Sequence, residues 1–195
     1  MEPTLEAAAF IRPCVGERLS GDGTLIEKRG ELTCAVLIDG LGHGPRANEA
    51  SIAGLEAVRG KWTADPKETL DLLHDGMKNS AGGVGAVCIV DEKKREMVYA
   101  GVGNTVARVL GNEPRSFVSV PGTLGKQMRE PRIDRLTLSE KDIVLMHSDG
   151  ISDRAPLGEY PEIRIHSVQT IVRTMVKRFG RTFDDVSCIA MRYSR

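Results

Sequence analysis

Runs of apolar residues separated by turn-forming residues dominate the chain. The clearest run, from Cys34 to Ile38, is unbroken and predicts a strand that is buried on both faces. Shorter apolar or alternating runs predict further strands at 24–28, 86–90, 96–100, 106–110, 115–120, 132–138, 143–148 and 186–191. Residues 5–14 fit either a strand or a helical turn, and Pro13 favours an edge strand.

Three segments have helical spacing instead. The first begins at Pro45, a residue favoured in the first helical turn, and its apolar positions extend to about residue 61. The second follows Asp65 and Pro66, which together provide a capping side chain and a proline start. The third runs from Ser167, as its cap, to Gly180, where it stops.

Short connections predict which strands pair. Turns at 91–95, 101–104 and 111–112 join four strands into an antiparallel meander over residues 86–120. Strands 132–138 and 143–148 are predicted as a further pair. A turn at 20–23 predicts a hairpin between residues 5–14 and 24–28, with Asp22 in its loop.

Nine or ten strands exceed a comfortable single sheet, so two packed sheets are expected. The helices fall in two blocks around the strand-rich middle, which is typical of an α+β fold rather than of strict β-α-β alternation. The predicted fold class is therefore α+β, with two packed antiparallel β-sheets flanked by α-helices. At 195 residues the chain is expected to form a single domain over residues 1–195.

Composition excludes several classes of function. The 27 basic and 27 acidic residues balance, which argues against nucleic-acid or membrane-surface partners. No apolar run is long enough to span a bilayer, and the N-terminus lacks the pattern of a signal peptide, so a cytoplasmic location is expected. The four cysteines form no C-x-x-C pair, and three of them, Cys34, Cys88 and Cys188, are predicted to be buried in the core.

Acidic residues recur at the ends of predicted strands. Asp39 and Asp149 each follow an apolar strand and precede a glycine, Asp22 lies in a glycine turn, and Asp184 precedes the last strand. A single Asp-Gly pair is also a common turn, so each is weak evidence alone. Because a buried carboxylate requires a partner or a metal, the four together predict an all-oxygen site for hard divalent cations.

Six motifs occur in order along the chain. They are SGDG at 20–23, DGLGHG at 39–44, GVGNT at 101–105, PGTLG at 121–125, HSDGISD at 147–153 and DDVS at 184–187. Their order and spacing resemble the metal-dependent serine/threonine protein phosphatases of the PPM family, in the bacterial SpoIIE-like branch. The resemblance covers about residues 15–192 and implies two antiparallel sheets between helices, with a binuclear Mn²⁺ or Mg²⁺ site at one end.

The resemblance also implies a role for individual residues. Asp39 matches the aspartate that bridges both metals, and the Gly40 carbonyl matches a ligand of the second metal. Asp149 and Asp184 match carboxylates on the first metal. In this family the metals activate a water that attacks the phosphate, so Asp39 and Asp149 count as catalytic as well as metal-binding residues.

Three further acids have less direct matches. Asp22 matches an acid near the second metal that acts through water, and Asp153 matches one that helps to hold a weaker third ion in some members. Asp185 matches a position that supports the ligands or caps the chain.

The chain departs from the family pattern at two positions. Leu41 occupies the place where many eukaryotic members have a histidine that protonates the leaving group, and His43 follows two residues later. His43 either serves as that proton donor, and is then catalytic, or only caps its loop. The arginine that clamps the phosphate has no secure counterpart, although Arg18 lies near the corresponding position.

The resemblance implies a phosphatase for phosphoserine or phosphothreonine in proteins. Without an attached sensor segment, the chain is most similar to stand-alone members, which implies phosphorylated STAS-domain proteins of the stressosome as partners in a stress response. Two alternatives stay open. One is a catalytically silent binding module of the same fold, and the other is a phosphatase for small phosphorylated metabolites.

Overall fold

The computed structural model describes residues 4–152 and 161–194. Within these ranges it contains ten strands and three α-helices. The strands are β1 (Thr4–Arg12), β2 (Asp22–Arg29), β3 (Leu32–Gly40), β4 (Gly83–Asp91), β5 (Glu96–Val102), β6 (Val106–Leu110), β7 (Arg115–Phe117), β8 (Asp134–Thr137), β9 (Ile143–His147) and β10 (Val186–Ser194). The helices are α1 (Pro45–Val58), α2 (Pro66–Gly76) and α3 (Val168–Phe179), and a 3₁₀ turn covers Pro161–Arg164.

The strands form two five-stranded sheets in which every pairing between named strands is antiparallel. The first sheet has the order β1-β10-β9-β6-β7 and the second has the order β2-β3-β4-β5-β8. Helices α1 and α2 pack on the second sheet, and α3 packs on the first. The predicted fold class, two packed antiparallel sheets flanked by helices, is therefore confirmed.

Strand β3 shows how the apolar pattern produces these layers. Its even-numbered residues, Cys34 to Ile38, belong to the hydrophobic cluster beneath α1 and α2. Its odd-numbered residues, Ala35 and Leu37, belong to the cluster between the two sheets. Because successive side chains point to opposite faces, a strand covered on both sides requires an unbroken apolar run.

The helix predictions are confirmed, with one boundary moved. Asp65 caps α2 by accepting a hydrogen bond from the Lys67 backbone N–H at 2.8 Å. Ser167 caps α3 by accepting from the Thr170 backbone N–H at 3.3 Å. Helix α1 ends at Val58, shortly before the predicted end near residue 61. The apolar spacing continues past Val58 because Trp62 still packs under the sheet.

Three predicted strand pairings are wrong. The predicted hairpin of residues 5–14 with 24–28 does not form, because β1 pairs with β10 and β2 pairs with β3. Asp22 is therefore the first residue of β2, not a loop residue. The predicted pair of 132–138 with 143–148 does not form either, since β8 pairs with β5 and β9 pairs with β10 and β6.

The predicted meander is also interrupted. Strands β4 and β5 pair as expected, but the turn at 101–104 carries the chain across to the other sheet, where β6 pairs with β9 and β7. A short glycine turn fits both a hairpin and a crossing between sheets. The apolar pattern alone therefore cannot separate these outcomes.

The buried cysteines agree with the sequence. Cys34, Cys88 and Cys188 are buried free thiols, whereas Cys14 is partly exposed. None of the helices in the described ranges combines the length and apolar character that crossing a membrane requires.

Candidate active site

The alternation of side chains along β2 and β3 brings two of the predicted acids together. Asp39 has the same parity as Ala35 and Leu37, so it points into the layer between the sheets. Asp22 is the direct cross-strand partner of Asp39 and lies on the same face. Both acids thus lie where β2 begins and β3 ends, at one end of the layer between the sheets.

The other sheet contributes two further acids at the same end. Asp149 follows β9, and Asp184 precedes β10. Together with Asp39 they line one cavity of about 510 Å³. The cavity is completed by Leu41, Gly42, His43, Val84, Gly103, Asn104 and Pro121. The structure therefore brings together acids from both sheets that are up to 162 positions apart in the chain, from Asp22 to Asp184.

The glycine after each strand-end aspartate is required by close backbone contacts. A Cβ atom on Gly40 would overlap the Ala47 carbonyl oxygen and lie 2.9 Å from that of Gly21. A Cβ atom on Gly150 would overlap the Asp185 carbonyl oxygen. Each Asp-Gly pair therefore marks a point where chain segments from different elements approach closely, and not only a turn.

Burial and mutual repulsion dominate the electrostatics of the site. Burial raises the pKa of Asp39 above the ordinary carboxyl range, and the charges of Asp22, Asp149 and Asp184 raise it further. Burial also raises the pKa of Asp22 and, more weakly, that of Asp184. An uncompensated cluster of this kind favours a bound cation.

Asp22 gives the most direct structural test of a metal site. It is only 4% exposed, and neither of its carboxylate oxygens has a hydrogen-bond partner among the described residues. The hydroxyls of Ser148 and Ser187 lie near enough to lower its pKa, but they do not meet hydrogen-bond geometry. A buried carboxylate without a partner is strongly unfavourable, so this donor set suits a hard divalent cation.

The carboxylates of Asp39, Asp149 and Asp184 line one cavity, but they are not close enough together to form a ready-made ion site. Within the described residues, no three His, Cys, Asp or Glu side chains are gathered closely enough to form an ion-binding cluster as they stand. Asp39, Asp149 and Asp184 nevertheless line the same cavity, and Asp22 lies directly opposite Asp39 across β2 and β3.

His43 lines the cavity and is held by a carboxylate. Its Nδ1 atom lies 2.9 Å from Oε1 of Glu17, on the loop before β2. Glu17 also lines an adjacent cavity of about 530 Å³ with Gly16, Arg18, Leu19 and Pro45. The His43–Glu17 pair therefore joins the walls of the two cavities, and Arg18 borders the adjacent cavity instead of the acidic one.

Two residues next to the acids contact them or their loops, and the sequence had assigned a role to only one of them, Asp185. Asn104 donates a hydrogen bond from Nδ2 to Oδ2 of Asp149 at 2.7 Å. Asp185 accepts hydrogen bonds from the backbone N–H groups of Cys14 and Gly21, both at 2.8 Å. The only sequence signal for Asn104 is its place in the glycine turn at 101–105. The supporting role predicted for Asp185 agrees with its two contacts.

Two predicted ligands, Asp153 and the Gly40 carbonyl, are not among the four clustered carboxylates. Asp153, matched to a weaker third ion, lies outside the described residues. The Gly40 carbonyl is at the end of β3, and the Gly40 N–H donates to the Gly21 carbonyl at 3.2 Å. The functional roles of the acids and of His43 stay predictions.

A groove of about 410 Å³ at the other end of the second sheet has a different character. Its acidic residues include Asp91 and Glu96, which pair with Lys94 at 3.1 Å and Arg135 at 3.5 Å. Because basic partners compensate these charges, the groove does not share the electrostatics of the acidic cavity.

Comparison with known proteins agrees with this geometry. The sequence profile of the family described as Stage II sporulation protein E (SpoIIE) matches residues 29–194. The phosphoserine phosphatase RsbX of Bacillus subtilis (strain 168) is 27% identical over 182 residues, covering 89% of this chain and 87% of RsbX.

Two solved structures are also similar. One, described as "The bacterial stressosome: a modular system that has been adapted to control secondary messenger signaling", has a TM-score of 0.89 and 28% identity, covering 97% of this chain and all of that chain. The other is RsbX in complex with magnesium, with a TM-score of 0.82 and 20% identity, covering 97% of this chain and 96% of that chain.

These matches confirm the resemblance to the SpoIIE-like branch of the PPM family that was stated from the motifs, and they add a finer similarity to RsbX. The similar phosphatases also confirm the predicted class of enzyme. The chain therefore belongs to the SpoIIE family of PPM-type phosphatases, and it is a protein serine/threonine phosphatase.

Proposed function

We propose that this phosphatase hydrolyses phosphoserine or phosphothreonine with the help of two divalent cations, Mn²⁺ or Mg²⁺. The observation that carries the proposal is Asp22, a buried carboxylate that has no hydrogen-bond partner among the described residues and that faces Asp39 across β2 and β3. Asp149 and Asp184 approach from the other sheet. Such a set of oxygen donors suits Mn²⁺ or Mg²⁺ better than zinc, which prefers His and Cys ligands.

The chain offers five groups that would hold these ions. They are the carboxylates of Asp22, Asp39, Asp149 and Asp184 and the carbonyl of Gly40. Asp153 is a sixth candidate, for a weaker third ion. When bound, a pair of divalent ions neutralises phosphate charge and lowers the pKa of nearby water.

The remaining residues prepare the site for the substrate. Asn104 donates a 2.7 Å hydrogen bond to Oδ2 of Asp149 and so fixes the orientation of that carboxylate. The other oxygen, Oδ1, would then be the one that binds a cation. Glu17 orients the His43 ring through its contact with Nδ1, so Nε2 is the atom that would give a proton to the leaving oxygen of the substrate side chain. Leu41 and Pro121 contribute apolar side chains to the wall of the cavity.

The decisive experiment measures hydrolysis of p-nitrophenyl phosphate with Mn²⁺, with Mg²⁺ and with excess chelator. Wild type is compared with Asp39→Asn, which removes a charge but keeps the shape, and with Asp134→Asn, a buried aspartate of β8 paired with Arg132. We expect metal-dependent turnover in wild type and Asp134→Asn, and a loss of about 10³-fold or more in Asp39→Asn.

Turnover in chelator, or full activity in Asp39→Asn, would contradict the metal-dependent mechanism. Metal binding without any turnover by the folded wild type would instead favour a silent binding module.

We further propose that the substrates are phosphorylated STAS-domain proteins of a stressosome. The support is the similarity to RsbX, named a phosphoserine phosphatase, and to the structure described with the bacterial stressosome. Purified phosphorylated STAS-domain proteins would be incubated with the enzyme and Mn²⁺, and phosphate occupancy followed by intact-protein mass spectrometry. Occupancy that stays constant while p-nitrophenyl phosphate is hydrolysed would rule out these substrates.

A further inference from the structure

Exposed hydrophobic side chains concentrate around the acidic cavity. Eight large hydrophobic side chains are exposed in residues 4–152 and 161–194. Four of them lie in the three loops that border the site. They are Val15, Leu19, Leu41 and Phe183, with exposed fractions of 69%, 47%, 50% and 73%. We call these four residues the apolar rim.

None of the rim residues contributes to the core. The three hydrophobic clusters among the described residues include neither Phe183 nor any other rim residue. Single exposed hydrophobic residues are normal, but a concentration at one place on a surface marks an interaction site. The rim therefore has no evident purpose within the fold itself.

Backbone contacts join the three loops into one surface. The Val15 N–H donates to the Thr182 carbonyl at 3.0 Å, which places Val15 beside the loop that carries Phe183. The carboxylate of Asp185 holds the same two segments together through the N–H groups of Cys14 and Gly21.

The third loop is tied to this pair. The Gly40 N–H donates to the Gly21 carbonyl at 3.2 Å, and His43 contacts Glu17 at 2.9 Å. The rim is therefore held in place before any partner binds, which reduces the entropy lost on binding.

The rim is continuous with the acidic cavity. Leu41 lines the cavity itself, and Phe183 directly precedes Asp184, another lining residue. Leu19 lines the adjacent cavity on the far side of the His43–Glu17 pair. A protein that delivers a phosphoserine to the acids would approach across the loops that carry these side chains.

We propose that the apolar rim docks the phosphorylated protein substrate by contacting apolar side chains that flank its phosphoserine or phosphothreonine. This inference rests on the proposed function, because it takes the acidic cavity as the place where the phosphate is hydrolysed. It adds a substrate class: phosphosites in an apolar sequence context are preferred over phosphosites in a polar one. A second copy of this chain is the alternative occupant.

The test uses two synthetic phosphoserine peptides of equal length and net charge. One has Leu and Val on either side of the phosphoserine, and the other has Ser and Asn there. With Mn²⁺, we expect wild type to have a kcat/KM at least about tenfold higher for the apolar peptide. In the triple variant Val15→Ser, Leu19→Ser, Phe183→Ser, the ratio of the two kcat/KM values should fall to about one.

A matched control removes an equally exposed hydrophobic residue elsewhere. Ile165 is 80% exposed and lies near Arg192, toward the opposite end of β10 from Asp184. Ile165→Ser should keep the wild-type ratio. Equal kcat/KM values for both peptides in wild type, or an unchanged ratio in the triple variant, would overturn the inference.

Two further measurements separate the possible failures. Sedimentation velocity that shows a wild-type dimer and a monomeric triple variant would assign the rim to contacts between copies, and would overturn the inference. Hydrolysis of p-nitrophenyl phosphate is measured in parallel. If wild type hydrolyses it but does not discriminate between peptides, this inference alone fails, whereas no hydrolysis would overturn the proposed function as well.

Discussion

Asp184 and Asp185 are neighbours in the chain, yet their carboxylates have different surroundings. Asp184 lines the acidic cavity, whereas Asp185 points away from it and accepts two backbone hydrogen bonds from the loop before β2. Asp185 is only 3% exposed. Because Asp22 directly follows Gly21, Asp185 sets the position of a predicted metal ligand without touching it.

Replacing Asp185 with Asn should therefore weaken metal binding. One of the two accepting oxygens becomes an NH₂ group that faces a backbone donor, which costs about 1–3 kcal/mol of unfolding free energy. We expect the Mn²⁺ concentration for half-maximal p-nitrophenyl phosphate hydrolysis to rise about tenfold or more.

Asp142→Asn is the matched control for this change. Asp142 is also buried and accepts from the Ser139 N–H at 2.8 Å, but it lies before β9, at the opposite end of that strand from Asp149. It should lose stability and keep its Mn²⁺ dependence. The same Mn²⁺ dependence in both variants would contradict the positioning role of Asp185.

His43 and Glu17 can be tested by the chemistry of the leaving group. If His43 protonates the leaving oxygen, His43→Gln should slow hydrolysis of phenyl phosphate about 10²-fold but barely affect 2,4-dinitrophenyl phosphate, whose leaving group requires no proton. Glu17→Gln should show the same selectivity more weakly, because it only orients the ring.

His166→Gln, at an exposed histidine away from the acidic cavity, serves as the control and should change neither rate. Equal losses on both esters in His43→Gln would assign His43 to loop capping.

At the scale of elements, the sequence predicted which segments form strands better than it predicted which strands pair. Strand β3 was identifiable because both of its faces are covered, so its apolar run is unbroken. Strand β8 was identifiable as a strand, but its pairing with β5 depends on contacts between distant segments. Local patterns contain no information about such contacts, which is why the predicted meander and both other wrong pairings failed together.

The turn between β5 and β6 is where the chain changes sheets, and Gly103 makes that turn possible. Its φ of +94° is unfavourable for other residues, and a Cβ atom there would overlap the side chain of Val84. Gly103→Ala should therefore lower the unfolding free energy by more than about 2 kcal/mol.

Gly60→Ala is the control that separates the cost of a positive φ from the cost of overlap with a neighbouring side chain. Its φ is +68°, but a Cβ atom there has no neighbour within 4 Å. Gly60→Ala should cost only about 1 kcal/mol in urea unfolding. Equal losses in the two variants would show that contact with Val84 is unimportant.

At the scale of the whole molecule, the candidate site exists only because two sheets meet. The sequence identified Asp39, Asp149 and Asp184, since each lies at the end of an apolar segment, and it identified Asp22 in a glycine turn. It could not show that Asn104 contacts Asp149, or that Glu17 contacts His43 across 26 positions of the chain. Those contacts follow from the packing of the loops and not from any local pattern.

The gathering of acids predicts how stability depends on pH. In the metal-free protein, burial and repulsion raise the pKa values of Asp39 and Asp22. Between about pH 4 and these raised values, the folded protein binds more protons than the unfolded chain, so the unfolding free energy falls as pH rises. We expect a loss of at least about 1 kcal/mol between pH 5 and pH 8 in chelator.

Urea unfolding in chelator at both pH values measures this loss. Asp39→Asn should reduce the pH dependence and should be more stable than wild type at pH 8, although we expect it to lose activity. Mn²⁺ should stabilise wild type more at pH 8 than at pH 5, because its ligands must lose their protons. A pH dependence that is unchanged in Asp39→Asn would contradict the assignment to the acidic cluster.

The pairing of β1 with β10 has a practical consequence for handling the enzyme. Thr4 lies opposite Ser194, and Arg12 lies opposite Val186, beside the loop that carries Asp184. The two ends of the described chain therefore lie side by side, a nine-residue strand away from the end that carries the acidic cavity. If the enzyme were immobilised on a bead or sensor chip near Thr4 or Ser194, its acidic cavity would face outward, open to a protein substrate arriving from solution.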